Sequence, residues 1–132
     1  LNAALGYSQL KNIQNILDKK SLIFAWYKEL LGTSVVFQRV AEHCTPNNWF
    51  VVVKFKTKEQ KDAVKNELNS HNIESKNNYK PATTLEWVIK AGLSGSCPNS
   101  VDLYEKSLIL PAGPSFGFSD IKFICEKIKG AM

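Results

Sequence analysis

The side chains in this sequence that could do covalent chemistry are its sixteen lysines, three cysteines and two histidines. Lys54 is the only lysine in a strongly apolar context, since Val53 and Phe55 flank it. A lysine that attacks a carbonyl group needs a lowered pKa, which burial usually provides. A solvent-facing lysine on a strand is the simpler interpretation of Lys54. We therefore predict no catalytic residue within this chain.

Metal ligation and disulfide pairing have no sequence support either. His43 and Cys44 are adjacent but His71 is far along the chain, whereas a zinc site needs closely spaced pairs of ligands. The three cysteines, Cys44, Cys97 and Cys125, are an odd and widely spaced set, which argues against a disulfide framework. We predict no metal site, and a reducing, cytoplasmic location.

Composition excludes several classes of protein. The chain has 132 residues, of which 44% are hydrophobic and 22% charged, as in an ordinary globular domain. The net charge of +5 results from seventeen basic and twelve acidic residues. The basic residues are sixteen lysines and a single arginine, Arg39, and such a lysine excess is typical of a solvated surface. No apolar run approaches the roughly 18 residues that a membrane span needs. We therefore predict neither a nucleic-acid partner nor a membrane partner.

The elements that must position any site begin with a helix. Apolar residues recur at helical spacing over residues 1–31, which predicts one long amphipathic helix with Asn2 as a possible N-cap and Gly32 at its end. Such a helix is long for so small a domain, and its opening suggests that it continues from a preceding segment. We expect it to leave an apolar face uncovered.

The rest of the chain alternates strands with helices. Residues 49–55 are predicted to form a strand covered on both faces, and residues 72–79 a weaker one. Thr57 and Gln60 predict a capped helix to Ser70 whose apolar stripe is Ala63, Val64 and Leu68. A helix at 99–106 and an extended segment at 108–111 follow. A last helix, capped by Ser119, carries the apolar residues Ile121, Ile124, Cys125 and Ile128. We predict a single α/β domain of the α+β type, with three or four strands in a small mixed sheet and helices packed on it.

Several motifs, taken in order, resemble one enzyme family. Residues 3–10 read Ala-Ala-Leu-Gly-Tyr-Ser-Gln-Leu, residues 27–31 read Tyr-Lys-Glu-Leu-Leu, and residues 48–53 read Asn-Trp-Phe-Val-Val-Val. Ile73-Glu74-Ser75-Lys76 and Leu108-Ile109-Leu110-Pro111 follow at the expected places. Together they resemble the C-terminal part of the DegT/DnrJ/EryC1/StrS sugar aminotransferases over essentially the whole chain.

This resemblance implies the C-terminal, small domain of the type I pyridoxal-phosphate-dependent transferase fold. The implied reaction moves an amino group from an amino acid to a keto-sugar nucleotide, in the biosynthesis of amino sugars or surface polysaccharides. The family's cofactor lysine lies in a large domain upstream of Leu1. We therefore expect residues 1–132 to lack that domain, to bind no pyridoxal phosphate alone and to be inactive alone. The family also implies a homodimer.

The resemblance also implies site residues. Residues 76–81 correspond to a family segment that faces the cofactor and the sugar substrate, so Lys76, Asn78, Tyr79 and Lys80 are candidate substrate-binding residues. Lys76 stands where the family often has arginine, and Asn78 where it often has histidine or an aromatic residue. Asn2 stands near the cofactor-side start of the first helix and is the one candidate for cofactor contact.

Two alternatives belong to other classes. The aromatic strand at 49–55 and the following helix resemble an RNA-recognition module, whose exposed aromatic residues stack on bases. The glycines of that motif are missing here, and the long first helix has no place in it. The other alternative is a non-catalytic interaction domain that dimerises through the exposed stripe of the first helix.

Overall fold

The chain forms six α-helices and a four-stranded sheet, and the computed structural model describes all of residues 1–132. The helices are α1 (Asn2–Lys11), α2 (Ile13–Leu31), α3 (Lys58–Ser70), α4 (Glu86–Lys90), α5 (Pro98–Lys106) and α6 (Phe118–Gly130). The strands are β1 (Val36–Phe37), β2 (Val51–Lys54), β3 (Lys76–Asn77) and β4 (Ser107–Leu110). Two short 3-10 helices cover Gly32–Ser34 and Ala82–Thr84.

The sheet has the order β1-β2-β4-β3, and every neighbouring pair is antiparallel. The α/β prediction is confirmed, but the expectation of a mixed sheet is wrong. β2 and β3 run parallel to each other and α3 connects them, yet they are not neighbours, because β4 inserts between them. Inserting an antiparallel strand between two parallel ones is the split βαβ arrangement. The two outer strands have only two residues each.

One face of the sheet carries the hydrophobic core. Val51 and Val53 of β2 and Leu108 and Leu110 of β4 point to this face, as alternation along a strand requires. The three long helices cover it with nine buried side chains: Ile23, Tyr27, Leu31, Val64, Leu68, Ile121, Ile124, Cys125 and Ile128. The opposite face carries half-buried Val52 and Lys54, so the predicted cover of β2 is complete on one face and only partial on the other.

The first helix is interrupted. The predicted helix over 1–31 is present, but Asn12 divides it into α1 and α2. The Asn12 side chain accepts a hydrogen bond from the Asn15 side chain at 2.6 Å. The Asn12 backbone departs from helical geometry, with φ of −106° and ψ of 9°. Leu1, not Asn2, occupies the N-cap position, and no side chain caps this end. The Asn2 cap prediction is therefore wrong.

No residue of α1 is buried. The side chains of Leu5, Tyr7 and Leu10 are 62%, 62% and 65% exposed, so the expected uncovered apolar face is confirmed for this helix. Isolated helices of fewer than about 12 residues are marginal in water. α1 therefore depends for its stability on its continuity with α2.

Two further helix starts differ in detail from prediction. The Thr57 hydroxyl accepts a hydrogen bond from the Gln60 N–H at 3.2 Å, which confirms the predicted N-cap. Within α3, however, Ala63 is exposed and Lys61 is buried. α6 begins with Gly117, not Ser119, as its N-cap, because the Asp120 carboxylate accepts the Gly117 N–H at 2.8 Å.

The predicted strand at 72–79 is reduced to the two residues of β3.

Tyr27 connects α2 to the turn that follows β4. Its side chain is fully buried, and its hydroxyl donates a hydrogen bond to the Pro111 carbonyl at 3.0 Å. Burial raises the pKa of Tyr27 well above its ordinary value, and the neighbouring Cys125 adds to the shift. The phenol is therefore protonated near neutral pH and can donate this hydrogen bond.

We expect Tyr27→Phe to lower the free energy of unfolding by about 1–2 kcal/mol, because it leaves a part-buried carbonyl without its donor. Urea unfolding followed by circular dichroism measures this change. Tyr7→Phe is the matched control, since Tyr7 is exposed on α1 and should shift stability by less than about 0.5 kcal/mol. Equal stability of the two variants would contradict a structural role for the Tyr27 hydroxyl.

Candidate functional site

Three aromatic residues form a ridge between two cavities. We call Trp49, Phe50 and Tyr79 the aromatic ridge. The Trp49 and Phe50 ring centroids lie 6.0 Å apart and those of Phe50 and Tyr79 6.5 Å apart. Trp49 is 64% exposed and Tyr79 76% exposed, which is unusual for rings of this size. The first cavity has a volume of about 830 Å³ and the second about 640 Å³, and Trp49 and Phe50 line both.

The loop before β2 positions the ridge through polar side chains. Asn48 has a φ of 47°, a left-handed conformation that asparagine tolerates better than most residues. Its side-chain amide donates to the Ser21 hydroxyl at 3.3 Å, which ties the loop to α2. The side-chain oxygen of Asn47 accepts a hydrogen bond from the Trp49 N–H at 3.0 Å. The backbone that carries Trp49 and Phe50 is therefore held by asparagine side chains and by α2, and these contacts do not involve the rings themselves.

Lys20 of α2 links the two sides of the first cavity. Its ammonium donates to the Ala112 carbonyl at 3.2 Å and to the Trp49 carbonyl at 3.4 Å. It also lies 5.4 Å from the centre of the Trp49 ring, within the range of a cation–π contact. Lys20 thus holds the ridge and the turn after β4 at a fixed separation.

The remaining charges of the first cavity are paired. The Lys76 ammonium lies 3.1 Å from the Glu74 carboxylate, and both side chains are largely exposed. Asp120 caps α6. The rest of the lining is mainly apolar: Ile73, Ile109, Leu110, Pro111, Phe116, Phe123 and Ile124. This cavity suits a ligand with a substantial apolar or aromatic part.

The second cavity lies on the open side of the sheet and combines rings with amides. Trp49, Phe50, Tyr79 and Phe37 supply the rings, and Gln38, Asn47, Asn48 and Asn78 supply the amides. At its edge Asp102 of α5 contacts both Lys54 and Lys106. Hydrogen bonds from Lys106, and then from Lys54, hold the pKa of the Asp102 carboxyl below its ordinary value. Lys54 is therefore engaged in an ion pair.

The structure separates the predicted substrate-binding residues. Lys76 lines the first cavity, whereas Asn78 and Tyr79 line the second. Lys80 is exposed and lines neither cavity, and Asn2 lies on the exposed α1, away from both. The substrate-binding and cofactor-contact assignments of these five residues stay predictions.

Sequence reasoning missed Lys20 and the ridge residues Trp49 and Phe50. Lys20 lies in the predicted first helix but was not a candidate residue, and its contacts with residues 29 and 92 positions away carry no sequence signal. Trp49 and Phe50 were predicted to begin a strand, but β2 starts at Val51. The pair of asparagines before Trp49 is the one signal of a turn there.

Neither a metal centre nor a reactive thiol stands beside these cavities. No group of three or more His, Cys, Asp or Glu side chains is arranged to hold a metal ion. Cys44 and Cys97 are exposed and unpaired. Burial raises the pKa of the Cys125 thiol to about 12, so this core cysteine is a weak nucleophile near neutral pH.

Comparison with known protein families shows to which family the chain belongs. A family model described as the DegT/DnrJ/EryC1/StrS aminotransferase family matches residues 1–129. The chain belongs to this family. Among related proteins, GDP-perosamine synthase from Escherichia coli O157:H7 is 25% identical over 126 residues, which are 96% of this chain and 34% of that enzyme.

Solved structures of similar proteins confirm the fold. A putative sugar aminotransferase from Streptococcus pneumoniae, Spr1654 in its PMP form, superposes with a TM-score of 0.90 at 20% identity over 98% of this chain and 34% of its own. Helicobacter pylori PseC, an aminotransferase involved in the biosynthesis of pseudoaminic acid, gives a TM-score of 0.84 at 17% identity, over 97% of this chain and 36% of its own. The chain thus spans about a third of the length of the relatives it matches.

The DegT/DnrJ/EryC1/StrS aminotransferases depend on pyridoxal phosphate, and the residues of this chain do not fit that group by themselves. A cofactor lysine needs a free amine, but Lys20 donates to two carbonyls, and Lys54 and the buried Lys61 are ion-paired with Asp102 and Asp62. A phosphate favours a helix N-terminus, but the Asp120 carboxylate already occupies that of α6. We therefore derive no catalytic step within this chain.

Two further observations concern nucleic-acid binding and the apolar length of the helices. The RNA-binding alternative is not favoured, because the central strands carry Val52, Lys54 and Ile109, and no aromatic ring, on the face away from the helices. No helix in the structure has the length and apolar character needed to traverse a bilayer.

The pKa of the Asp102 carboxyl offers a test of the geometry beside the second cavity. Because that pKa is lowered in the folded state, the contact stabilises the fold above the pKa of an unfolded aspartate. This contribution is lost as the pH falls through the folded-state value. We expect Lys106→Met to raise the pKa of Asp102 more than Lys54→Met does, as measured by carboxyl-carbon NMR titration.

Lys129→Met, on the exposed side of α6, is the control for this titration and should leave the pKa of Asp102 unchanged. A midpoint that neither Lys106→Met nor Lys54→Met moves would show that Asp102 is solvated and does not bridge the two lysines.

Proposed function

We propose that this chain is the C-terminal, small domain of a pyridoxal-phosphate-dependent aminotransferase that transfers an amino group from an amino acid to a keto-sugar nucleotide. The observation that carries the proposal is the family match over residues 1–129, combined with a chain that spans only about a third of its relatives. When bound, pyridoxal phosphate supplies an electron sink for the transfer. In this proposal the lysine that holds the cofactor belongs to a large domain outside residues 1–132.

α1 is the element on which we place that large domain. Leu5, Tyr7 and Leu10 project from more than one side of this helix, are largely exposed, and are covered by no helix or strand of this chain. Burying an apolar side chain stabilises a protein by about 1.5–3 kcal/mol, so a domain packed on these residues would also stabilise the helix. The proposed role of α1 is thus to join the two domains.

The segment Lys76–Lys80 is the part of this chain that we propose faces the sugar nucleotide. Within this segment Lys76 lines the first cavity, and Asn78 and Tyr79 line the second. Rings such as Tyr79 suit the faces of bases and sugars, and the Lys76 and Lys80 ammonium groups suit phosphate oxygens. Asn2 is proposed to lie near the cofactor at the domain junction.

The assembly and location of the enzyme are also proposals. We propose a homodimer, as the family implies, in which the cofactor site is completed between subunits. We also propose a cytoplasmic location, supported by the two exposed and unpaired cysteines, Cys44 and Cys97.

The most direct test of the domain assignment is the coding DNA upstream of Leu1. We expect an in-frame region about twice as long as this chain, in keeping with the 34% share of its relative that the chain covers, and containing a cofactor lysine. A polypeptide that includes this region should show transamination of a keto-sugar nucleotide. A stop codon directly upstream would contradict the assignment.

We expect residues 1–132 alone to bind no pyridoxal phosphate specifically. Borohydride reduction after adding the cofactor, followed by peptide mass spectrometry, measures covalent attachment at each lysine. Surface lysines should be labelled weakly, evenly and in proportion to cofactor concentration. Saturable labelling of a single lysine at one equivalent per chain would contradict the prediction.

We expect α1 to be unprotected in this chain when it is studied alone. Hydrogen–deuterium exchange at amides 5–11 should approach the rate of an unstructured peptide, because no tertiary contact opposes fraying. The amides of α6, which carries four buried residues, serve as the internal control and should be strongly protected. Equal protection of the two helices would contradict an uncovered interdomain surface.

A further inference from the structure

Asn78 differs from the other candidate residues of its segment, because both ends of its side-chain amide are already bonded within the chain. Its Nδ2 donates to the Ser107 hydroxyl at 3.1 Å, and its Oδ1 accepts the backbone N–H of Tyr79 at 2.8 Å. The Lys76 ammonium, in contrast, contacts only an exposed carboxylate. Asn78 therefore has little capacity left for a ligand.

The bond to Ser107 has a fixed direction. Ser107 is fully buried, and its hydroxyl donates to the Leu103 carbonyl in the last turn of α5. With its only proton used there, the Ser107 oxygen can only accept from residue 78. Because the Tyr79 N–H can only donate, the site needs a donor and an acceptor on one short side chain, which is what an amide provides. If the Asn78 amide were flipped, its NH2 group would face the Tyr79 N–H, and two hydrogen-bond donors would oppose each other.

We propose that Asn78 is a positioning residue, which holds Tyr79 beside the second cavity by connecting its backbone to the buried Ser107. Ser107 lies where α5 meets β4. Through Asn78, this junction within the fold fixes the position of the exposed Tyr79 ring. The Tyr79 ring lies beside Phe50 and is 76% exposed, so ring contacts alone do not fix it. That the positioned ring meets a sugar nucleotide rests on the proposed function; the positioning itself does not.

The positioning role of Asn78 is tested by comparing two substitutions at this position. Asn78→Ala removes both bonds, whereas Asn78→Asp keeps the acceptor for Tyr79 and loses the donor to Ser107. We expect both variants to be less stable in urea. Asn78→Ala should speed hydrogen exchange at the Tyr79 amide by roughly tenfold relative to the rest of the chain, because it removes the acceptor. Asn78→Asp should speed it less, since the acceptor remains but is no longer anchored to Ser107. A residue with a merely structural role would change this exchange only in step with the rest of the chain.

Ser107→Ala tests the other end of the connection. In the Asn78→Asp background it removes an oxygen that would otherwise face the carboxylate, so it should recover part of the lost stability. Asn77→Asp, the same change one residue earlier, is the control, because Asn77 is exposed and its oxygen only accepts from Lys65. That variant should leave exchange at Tyr79 unchanged.

The proposal is overturned if the Tyr79 amide exchanges equally fast in the parent chain and in Asn78→Ala. It is also overturned if substitutions at Asn78 and Ser107 are additive, since additive effects mean that the two side chains do not interact. Should Asn78→Ala fail to fold, Asn78→Ser, which retains one hydroxyl, replaces it in the same comparison. None of these measurements depends on enzyme activity, so failure of the proposed function and failure of the positioning role are distinguishable.

Discussion

The packing of α2 against the covered face of the sheet is the constraint on which the rest of the structure depends. Ile23, Tyr27 and Leu31 are at most 1% exposed, and the middle residue of the three also bonds to the turn after β4. One turn or two earlier on the same helix, Lys20 and Ser21 hold the loop that carries Trp49 and Phe50 of the aromatic ridge. The same helix therefore organises the core and both walls of the first cavity.

The division of α2 from α1 follows from this packing. Tertiary contacts hold the second half of the helical segment, and nothing comparable holds the first half. The first buried side chain of α2 is Ile23, well beyond Asn12, so no burial opposes an interruption at Asn12. The buried contacts of the helical segment 1–31 therefore all lie in its C-terminal part.

The sequence predicted local features well and long-range ones poorly. The Thr57 cap and the four buried residues of α6 depend on short spacings, and both were confirmed. The all-antiparallel sheet was not predicted, because nothing in a strand's own sequence states that β4 lies between β2 and β3. Likewise, the Lys20 and Ser107 contacts join residues 29 to 92 positions apart, beyond the reach of periodicity. Family membership came from motifs along the whole chain, whereas the geometry of the site required coordinates.

The two-residue outer strands have a consequence for association between molecules. A sheet edge invites other chains when it offers a long row of free backbone donors and acceptors. β1 and β3 each offer only a two-residue row, and charged or amide side chains make up the second of them. These short edges therefore disfavour the addition of strands from other molecules, although several aromatic rings and leucines of the chain are exposed. Contacts with other molecules would then be made mainly by side chains.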